Sequence, residues 1–293
     1  MTEPPFGRLL TAMVTPFADD DELDLEGAAK LAMYLVDELG NDGLVINGTA
    51  GESPTTSDEE KAELLSAVVD AVGDRASVVA GVGTFDTRHT VELAQQAASL
   101  GAHGLLVVTP YYSKPPQRGL QDHFRAVADS TDVPVMLYDI PHRAGTAITT
   151  ESLISLADHP RIVAVKDAKA DLTASATVIS QTELAYYSGD DSLTLPLLSV
   201  GAVGLVGTST HFCGLHAKGM IEAYLRGDVA EALRLHQQLL PVFTGVFATQ
   251  GVMLVKAGLA LQGRSAGLVR PPMPAATPAE TQALAACLAA AGL

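Results

Sequence analysis

Eight times along this chain a short run rich in Val, Leu and Ile gives way to a stretch with helical periodicity, at intervals of about 25–30 residues. The runs are residues 9–15, 43–49, 77–84, 104–111, 134–141, 161–168, 184–190 and 203–208. Nearly all are apolar throughout rather than alternating, as parallel strands enclosed on both faces must be. Between them lie amphipathic patterns at 25–39, 57–72, 87–100 and 119–129, several opened by Asp, Ser or Thr. Ser57 and Glu60 have the spacing of a reciprocal capping box.

Eight strand–helix units fill about 225 residues, close to the roughly 250 of a closed parallel barrel. The expected fold class is therefore α/β, a (β/α)8 TIM barrel over 1–227 with a C-terminal helical domain over 228–293. Cues in the extension are Asp228 behind Gly227, a helical pattern over 250–261, and Thr277 with Glu280 opening an Ala-rich last helix. A doubly wound open sheet shares the alternation, but the Gly-rich phosphate turn it carries after its first strand is missing here.

Charge narrows the partners. With 18 Lys and Arg against 34 Asp and Glu, the formal charge is −16 and no basic cluster offsets it, so nucleic acid and anionic membrane surfaces are poor partners. Residues 192–210 carry no charge but contain Pro196 and three glycines, which reads as buried strand plus turn rather than a membrane span. Met1 to Phe6 has no basic segment leading into an apolar run, and Cys213 and Cys287 are the only cysteines. A reducing cytoplasm is the expected location.

In a closed parallel barrel the chemistry sits where the strands end. Lys166 ends the sixth run, and a lysine at the edge of an apolar strand is either structurally paired, here with Asp167 or Asp190, or desolvated into a usable nucleophile. Tyr138 ends the fifth run on the same rim. Its alternatives are a proton shuttle beside the amine and a half-buried aromatic with a solvated hydroxyl. The second run ends in Asn47 to Ser53 (NGTAGES), where Gly48 and Gly51 serve a tight turn or aim backbone N–H groups at an anion, and Thr49 offers a hydroxyl. Gly51 to Thr55 misses the nucleophile-elbow pattern at its last position, which argues against a serine hydrolase. Gly81 and Gly83 lack a third glycine, the eight His make no metal-ligand pattern, and Asp190–Asp191 reads as a pair of helix caps, so no metal is expected.

Asn47 to Ser53, Val108 to Tyr112 (VTPYY), Tyr138 to Gly145 (YDIPHRAG) and Val165 to Ala168 (VKDA), in that order, resemble the pyruvate-dependent class I aldolase family that includes N-acetylneuraminate lyase. The likeness runs from about Gly7 into the C-terminal helices and is greatest to the family's dipicolinate-forming synthases, actinobacterial forms above all. It implies that Lys166 forms a Schiff base with pyruvate and needs no other cofactor. The resulting enamine would attack L-aspartate 4-semialdehyde, giving 4-hydroxy-tetrahydrodipicolinate for lysine and diaminopimelate synthesis. It further implies Tyr138 as proton donor and acceptor, Thr49 as relay, and Tyr112 as the relay's end, reaching in from a neighbouring subunit of a homotetramer built as a dimer of dimers. Arg143 would hold the semialdehyde carboxylate, Ala50 would lie at the pyruvate carboxylate, and Gly189 and the Val206 carbonyl would complete the pocket. Related readings of the same resemblance are an aldolase or dehydratase for another aldehyde or sugar acid, and a homologue without catalysis.

Three departures from the family pattern stand out. Ala50 replaces a threonine, Gly207 and His211 stand in an altered segment after Val206, and Asp58, Lys61, Phe85 and His89 occupy the positions of an allosteric lysine site. Lysine inhibition is therefore not expected.

Overall fold

Every one of the eight apolar runs forms a strand: β1 (Leu9–Ala12), β2 (Gly43–Ile46), β3 (Ser77–Gly81), β4 (Gly104–Val108), β5 (Val135–Asp139), β6 (Ile162–Asp167), β7 (Ala185–Ser188) and β8 (Gly204–Gly207). In the computed structural model, which describes residues 3–264 and 266–293, they pair in parallel and in sequence order, and β8 closes on β1 through Leu10 and Val206. Met1 and Thr2, part of the N-terminal stretch read above, lie outside the described residues. Closure leaves no unpaired strand edge, and β1, β2, β5 and β8 are buried along their whole length.

Strands stop short of the apolar runs. β1 ends at Ala12 although its run continues to 15, and β2 ends at Ile46 although its run continues to 49. The ladder breaks where the chain turns outward, but Met13, Val14 and Asn47 stay buried beyond that point, so polarity does not mark the boundary.

The helices are α1 (Leu25–Met33), α2 (Asp58–Val72), α3 (Thr87–Ser99), α4 (Gln117–Asp129), α5 (Pro141–Ala144), α6 (Thr150–Leu156), α7 (Leu172–Gln181), α8 (Thr194–Ser199), α9 (Thr210–Leu225), α10 (Val229–Gly245), α11 (Gly251–Leu261) and α12 (Pro278–Ala291). The capping boxes at Ser57/Glu60 and Thr277/Glu280 both form, and Asp228 caps α10. The pattern over 25–39 divides: after α1 the chain loosens into a π-helical turn over Tyr34–Glu38. Among the described residues no helix is long and apolar enough to cross a membrane.

After the barrel, α10 packs on α9 and α12, and α11 packs on α12. A buried ion pair ties α11 to the loop after β2. Lys256 Nζ lies 2.7 Å from Glu52 Oε1, with both side chains 3% exposed. Lys256 also donates to the Leu268 carbonyl at 2.7 Å and sits 4.3 Å above the Phe17 ring, while Glu52 Oε2 accepts the Arg270 N–H at 2.8 Å. Removing one partner of such a pair strands the other charge, at a cost of about 3–5 kcal/mol.

Candidate active site

Side chains alternate across a strand, so neighbours in sequence face opposite sides. On β5 and β6 this sends Tyr138 and Lys166, paired in register, to one face and Asp139 and Asp167 to the other. Asp167 accepts the Lys169 N–H at 2.8 Å and the Ser175 hydroxyl, and Asp139 pairs with Lys169 at 3.1 Å. Asp190 accepts the Ser192 N–H at 2.9 Å and caps the short turn that follows. The structural ion pair open to Lys166 from the sequence is therefore not built. Lys166 is 5% exposed and belongs to no ion pair among the described residues.

Its electrostatics follow from that isolation. Burial pulls the Lys166 amine down to about 8, with Arg143 adding to the effect and the Asp191 charge opposing it. The ammonium lies 4.4 Å from the Tyr138 ring centroid. Burial pushes the Tyr138 phenol up to about 12, against the pull of Arg143 and of a hydrogen bond from the Thr49 side chain, with Asp191 adding a smaller push.

The loop after β2 brings Thr49 to that phenol. Asn47 and Glu52 both adopt left-handed backbone, φ 55° each, and the turn is held by the Thr15 hydroxyl donating to the Gly51 carbonyl at 2.7 Å. A Cβ at Gly51 would stand 3.2 Å from the Asn47 nitrogen and 3.3 Å from the Met13 carbonyl oxygen, so the close approach suits glycine. Gly189 has the same role against Lys166: a Cβ there would lie 3.0 Å from Cγ.

A cavity of about 550 Å³ at this end of the barrel is lined by Thr49, Ala50, Tyr138, Arg143, Lys166 and Gly189, six of the eight residues expected from the sequence. Arg143, exposed at the end of α5, donates from Nη2 to Gln250 Oε1 at 3.1 Å. The other two lie elsewhere in the single chain. Val206 is buried in β8 and does not line the cavity, and Tyr112 is 93% exposed with φ 70°.

Some residues at the site were not singled out from the sequence in this role. Asp191, grouped with Asp190 as a cap, is wholly buried and instead receives the Thr208 N–H at 3.1 Å, the Ser209 N–H at 2.9 Å and the Ser209 hydroxyl. Burial raises its carboxyl, and those donors hold it back. Gly207, one of the departures, makes room for it: a Cβ there would lie 2.8 Å from Asp191 Oδ1. His211, another, accepts the Val14 N–H at 3.2 Å through Nε2 and bonds the Thr208 carbonyl at 2.7 Å through Nδ1. Burial lowers it to about 4, so near neutral pH it is an uncharged tie between the ends of β1 and β8. Gln250 was read only as a helix start, yet it lines the cavity. Among the described residues no three His, Cys, Asp or Glu side chains gather as a metal-binding set.

Comparison with known proteins places this geometry. Residues 5–291 match the model of the dihydrodipicolinate synthetase family. The 4-hydroxy-tetrahydrodipicolinate synthase of Acidothermus cellulolyticus is 67% identical over 98% of this chain and 93% of its own. Among solved structures, a dihydrodipicolinate synthase from Cyanidioschyzon merolae with lysine bound superposes with a TM-score of 0.97 at 41% identity, covering 99% of this chain and 100% of that one. The chloride-inhibited enzyme from Acinetobacter baumannii, complexed with pyruvate, gives 0.94 at 29% identity over 98% of this chain and 99% of that one.

Proposed function

The chain belongs to the dihydrodipicolinate synthetase family, and on that premise we propose that Lys166 is the amine through which it works. The activity is that of 4-hydroxy-tetrahydrodipicolinate synthases, a class I aldolase-type condensation of pyruvate with L-aspartate 4-semialdehyde in lysine biosynthesis. The observation that carries the assignment of Lys166 is a buried lysine without a carboxylate partner, in a cavity, against a tyrosine.

In this reading the free amine attacks the pyruvate ketone, and water leaves as the imine forms. Protonated, that imine draws electrons from the adjacent methyl; the methyl proton passes to the Tyr138 oxygen as the phenol hands its own proton to Thr49, and an enamine results. The enamine carbon bonds to the semialdehyde carbon, and the new alkoxide takes a proton from Tyr138. The amine of the second substrate then displaces Lys166 from the imine carbon, which closes the ring and frees the enzyme. Overall, the two substrates give the hydroxylated ring and one water, and the covalent bond to Lys166 does the work of a cofactor. Thr49, which lines the same cavity as the Tyr138 phenol, carries the phenolic proton onward and returns it to the phenol.

Both substrates are anions entering a strongly acidic protein, so the positive features at the rim have to draw them locally. Arg143 takes the semialdehyde carboxylate as a bidentate partner, and the backbone around Ala50 takes that of pyruvate. The Gly189 backbone faces the substrate from just beyond β7. Tyr112, an almost fully exposed aromatic in strained backbone, acts in the site of a neighbouring subunit, and we place the chain in a homotetramer made of two such dimers, in the cytoplasm.

The test is reduction with sodium borohydride in the presence of pyruvate, followed by mapping of the adduct. A reduced pyruvate imine on the peptide bearing Lys166 is expected, together with turnover of aspartate semialdehyde but not of N-acetylneuraminate or 2-keto-3-deoxygluconate. The absence of an adduct overturns the proposal.

A further inference from the structure

We propose that Gln250, at the junction of α10 and α11, positions Arg143 for the second substrate's carboxylate and so helps to set which aldehyde the cavity accepts. This rests on the reading of Arg143 given above. The two side chains are 107 residues apart in sequence and meet across the mouth of the cavity, where both are lining residues.

Arg143 is exposed and belongs to no ion pair among the described residues. An unrestrained arginine on a rim explores many rotamers, most of which point its guanidinium away from the cavity, and each has to be abandoned when substrate binds. Gln250 removes that freedom at one N–H of five and leaves the rest of the fork for a carboxylate. The residue type matters. A neutral amide oxygen holds the guanidinium without cancelling its charge, whereas a carboxylate in the same place would satisfy the arginine and compete with the substrate.

The backbone at Gln250 is anchored through α11. It directly precedes α11, and one and a half turns further along that helix Lys256 is locked to Glu52 in the loop that bears Thr49 and Ala50. One helix thus connects the loop proposed for the pyruvate carboxylate with the arginine proposed for the semialdehyde carboxylate. The separation of the two anion positions is fixed by the C-terminal segment rather than by the barrel alone.

Steady-state kinetics on Gln250→Met, Gln250→Glu, Arg143→Ala and the Arg143→Ala/Gln250→Met double variant test this. Gln250→Met keeps the length and removes the acceptor. It should raise KM for aspartate semialdehyde about tenfold, the effect of a lost hydrogen bond to a charged group, with KM for pyruvate, the borohydride adduct and the melting temperature unchanged. Gln250→Glu should raise the semialdehyde KM at least as much. The double variant should be no worse than Arg143→Ala, because Gln250 acts through Arg143. If Arg143→Ala raises KM and Gln250→Met does not, or if the two losses add, the positioning role is overturned while the proposed reaction stands. If Arg143→Ala leaves KM unchanged, the reading of Arg143 falls and this inference with it.

Discussion

Lys166 and Tyr138 occupy one rung of the β5–β6 ladder, and the amine stands over the phenol ring, 4.4 Å from its centroid. Parallel register therefore delivers a nucleophile and an acid–base group side by side without help from a flexible loop. Burial acts on both in opposite directions along the pH scale, lowering the amine and raising the phenol, and so shifts each toward its neutral form. Neutral amine attacks carbonyls, and neutral phenol holds the proton that the later alkoxide needs.

The amine predicts a pH profile. At about 8, roughly one Lys166 in ten is unprotonated at neutral pH, against roughly one in three thousand for a lysine left at 10.5. The kcat/KM for pyruvate should climb about tenfold per pH unit below about 8 and level off above it. A plateau that already holds at pH 6, or a climb that continues to pH 10, contradicts the assigned environment.

The phenol predicts a split between two assays. Tyr138→Phe should lower kcat by about 10²–10⁴, the usual weight of one general acid–base group, while borohydride still traps pyruvate on Lys166. Full turnover by the phenylalanine variant removes Tyr138 from the mechanism.

The same amine predicts a stability penalty. Folding lowers its pKa from the ordinary 10.5 to about 8, so between those values the folded chain binds fewer protons than the unfolded one. The penalty is full below about 8, roughly 3 kcal/mol at the 1.36 kcal/mol of one pKa unit, and fades as the pH rises to 10.5. Lys166→Met should therefore be inactive and melt higher than the parent at pH 7, with the gap closing toward pH 10.5. A lower melting temperature at pH 7 counts against a desolvated, unpaired amine.

Ala50 predicts a gain of function by a single hydroxyl. It is buried and lines the cavity beside Thr49. Ala50→Thr supplies one more donor to a carboxylate, about 1–3 kcal/mol, and should lower KM for pyruvate by roughly one to two powers of ten with kcat little changed. An unchanged KM places the pyruvate carboxylate elsewhere.

Lys166 and Tyr138 were legible in the sequence because a polar side chain at the end of an apolar run is itself a signal, and strand periodicity says which neighbour shares its face. Asp191 was not. Beside Asp190 it looks like a cap, and only the packing of the β8 turn over it, with no Cβ at Gly207 to intervene, makes it a buried acceptor. Gln250 was invisible for a similar reason: its partner lies 107 residues away, and that pairing depends on how the C-terminal helices settle on the rim. The strand ends were overrun because the loops beyond them are buried too, which removes the change in polarity that marks a boundary elsewhere.

Control by the end product, L-lysine, should be absent. The residues at the expected allosteric positions are already engaged with one another or with the backbone. His89 Nε2 lies 2.8 Å from Asp58 Oδ2, Lys61 Nζ donates to the Thr56 carbonyl at 2.5 Å, and Phe85 stands edge-on to Tyr111 with the ring centroids 5.5 Å apart. A lysine ligand would need acceptors for its ammonium groups. It would meet the like charge of Lys61, an aromatic ring, and a carboxylate already in hydrogen-bond contact with His89. Initial rates at subsaturating pyruvate should therefore be the same with and without L-lysine up to about 1 mM, the concentration range of ordinary metabolite recognition. Inhibition in that range overturns the prediction. Lys61→Ala separates its two grounds, since the variant should leave rates indifferent to lysine if the missing acceptors are decisive and create inhibition if charge repulsion alone keeps lysine out.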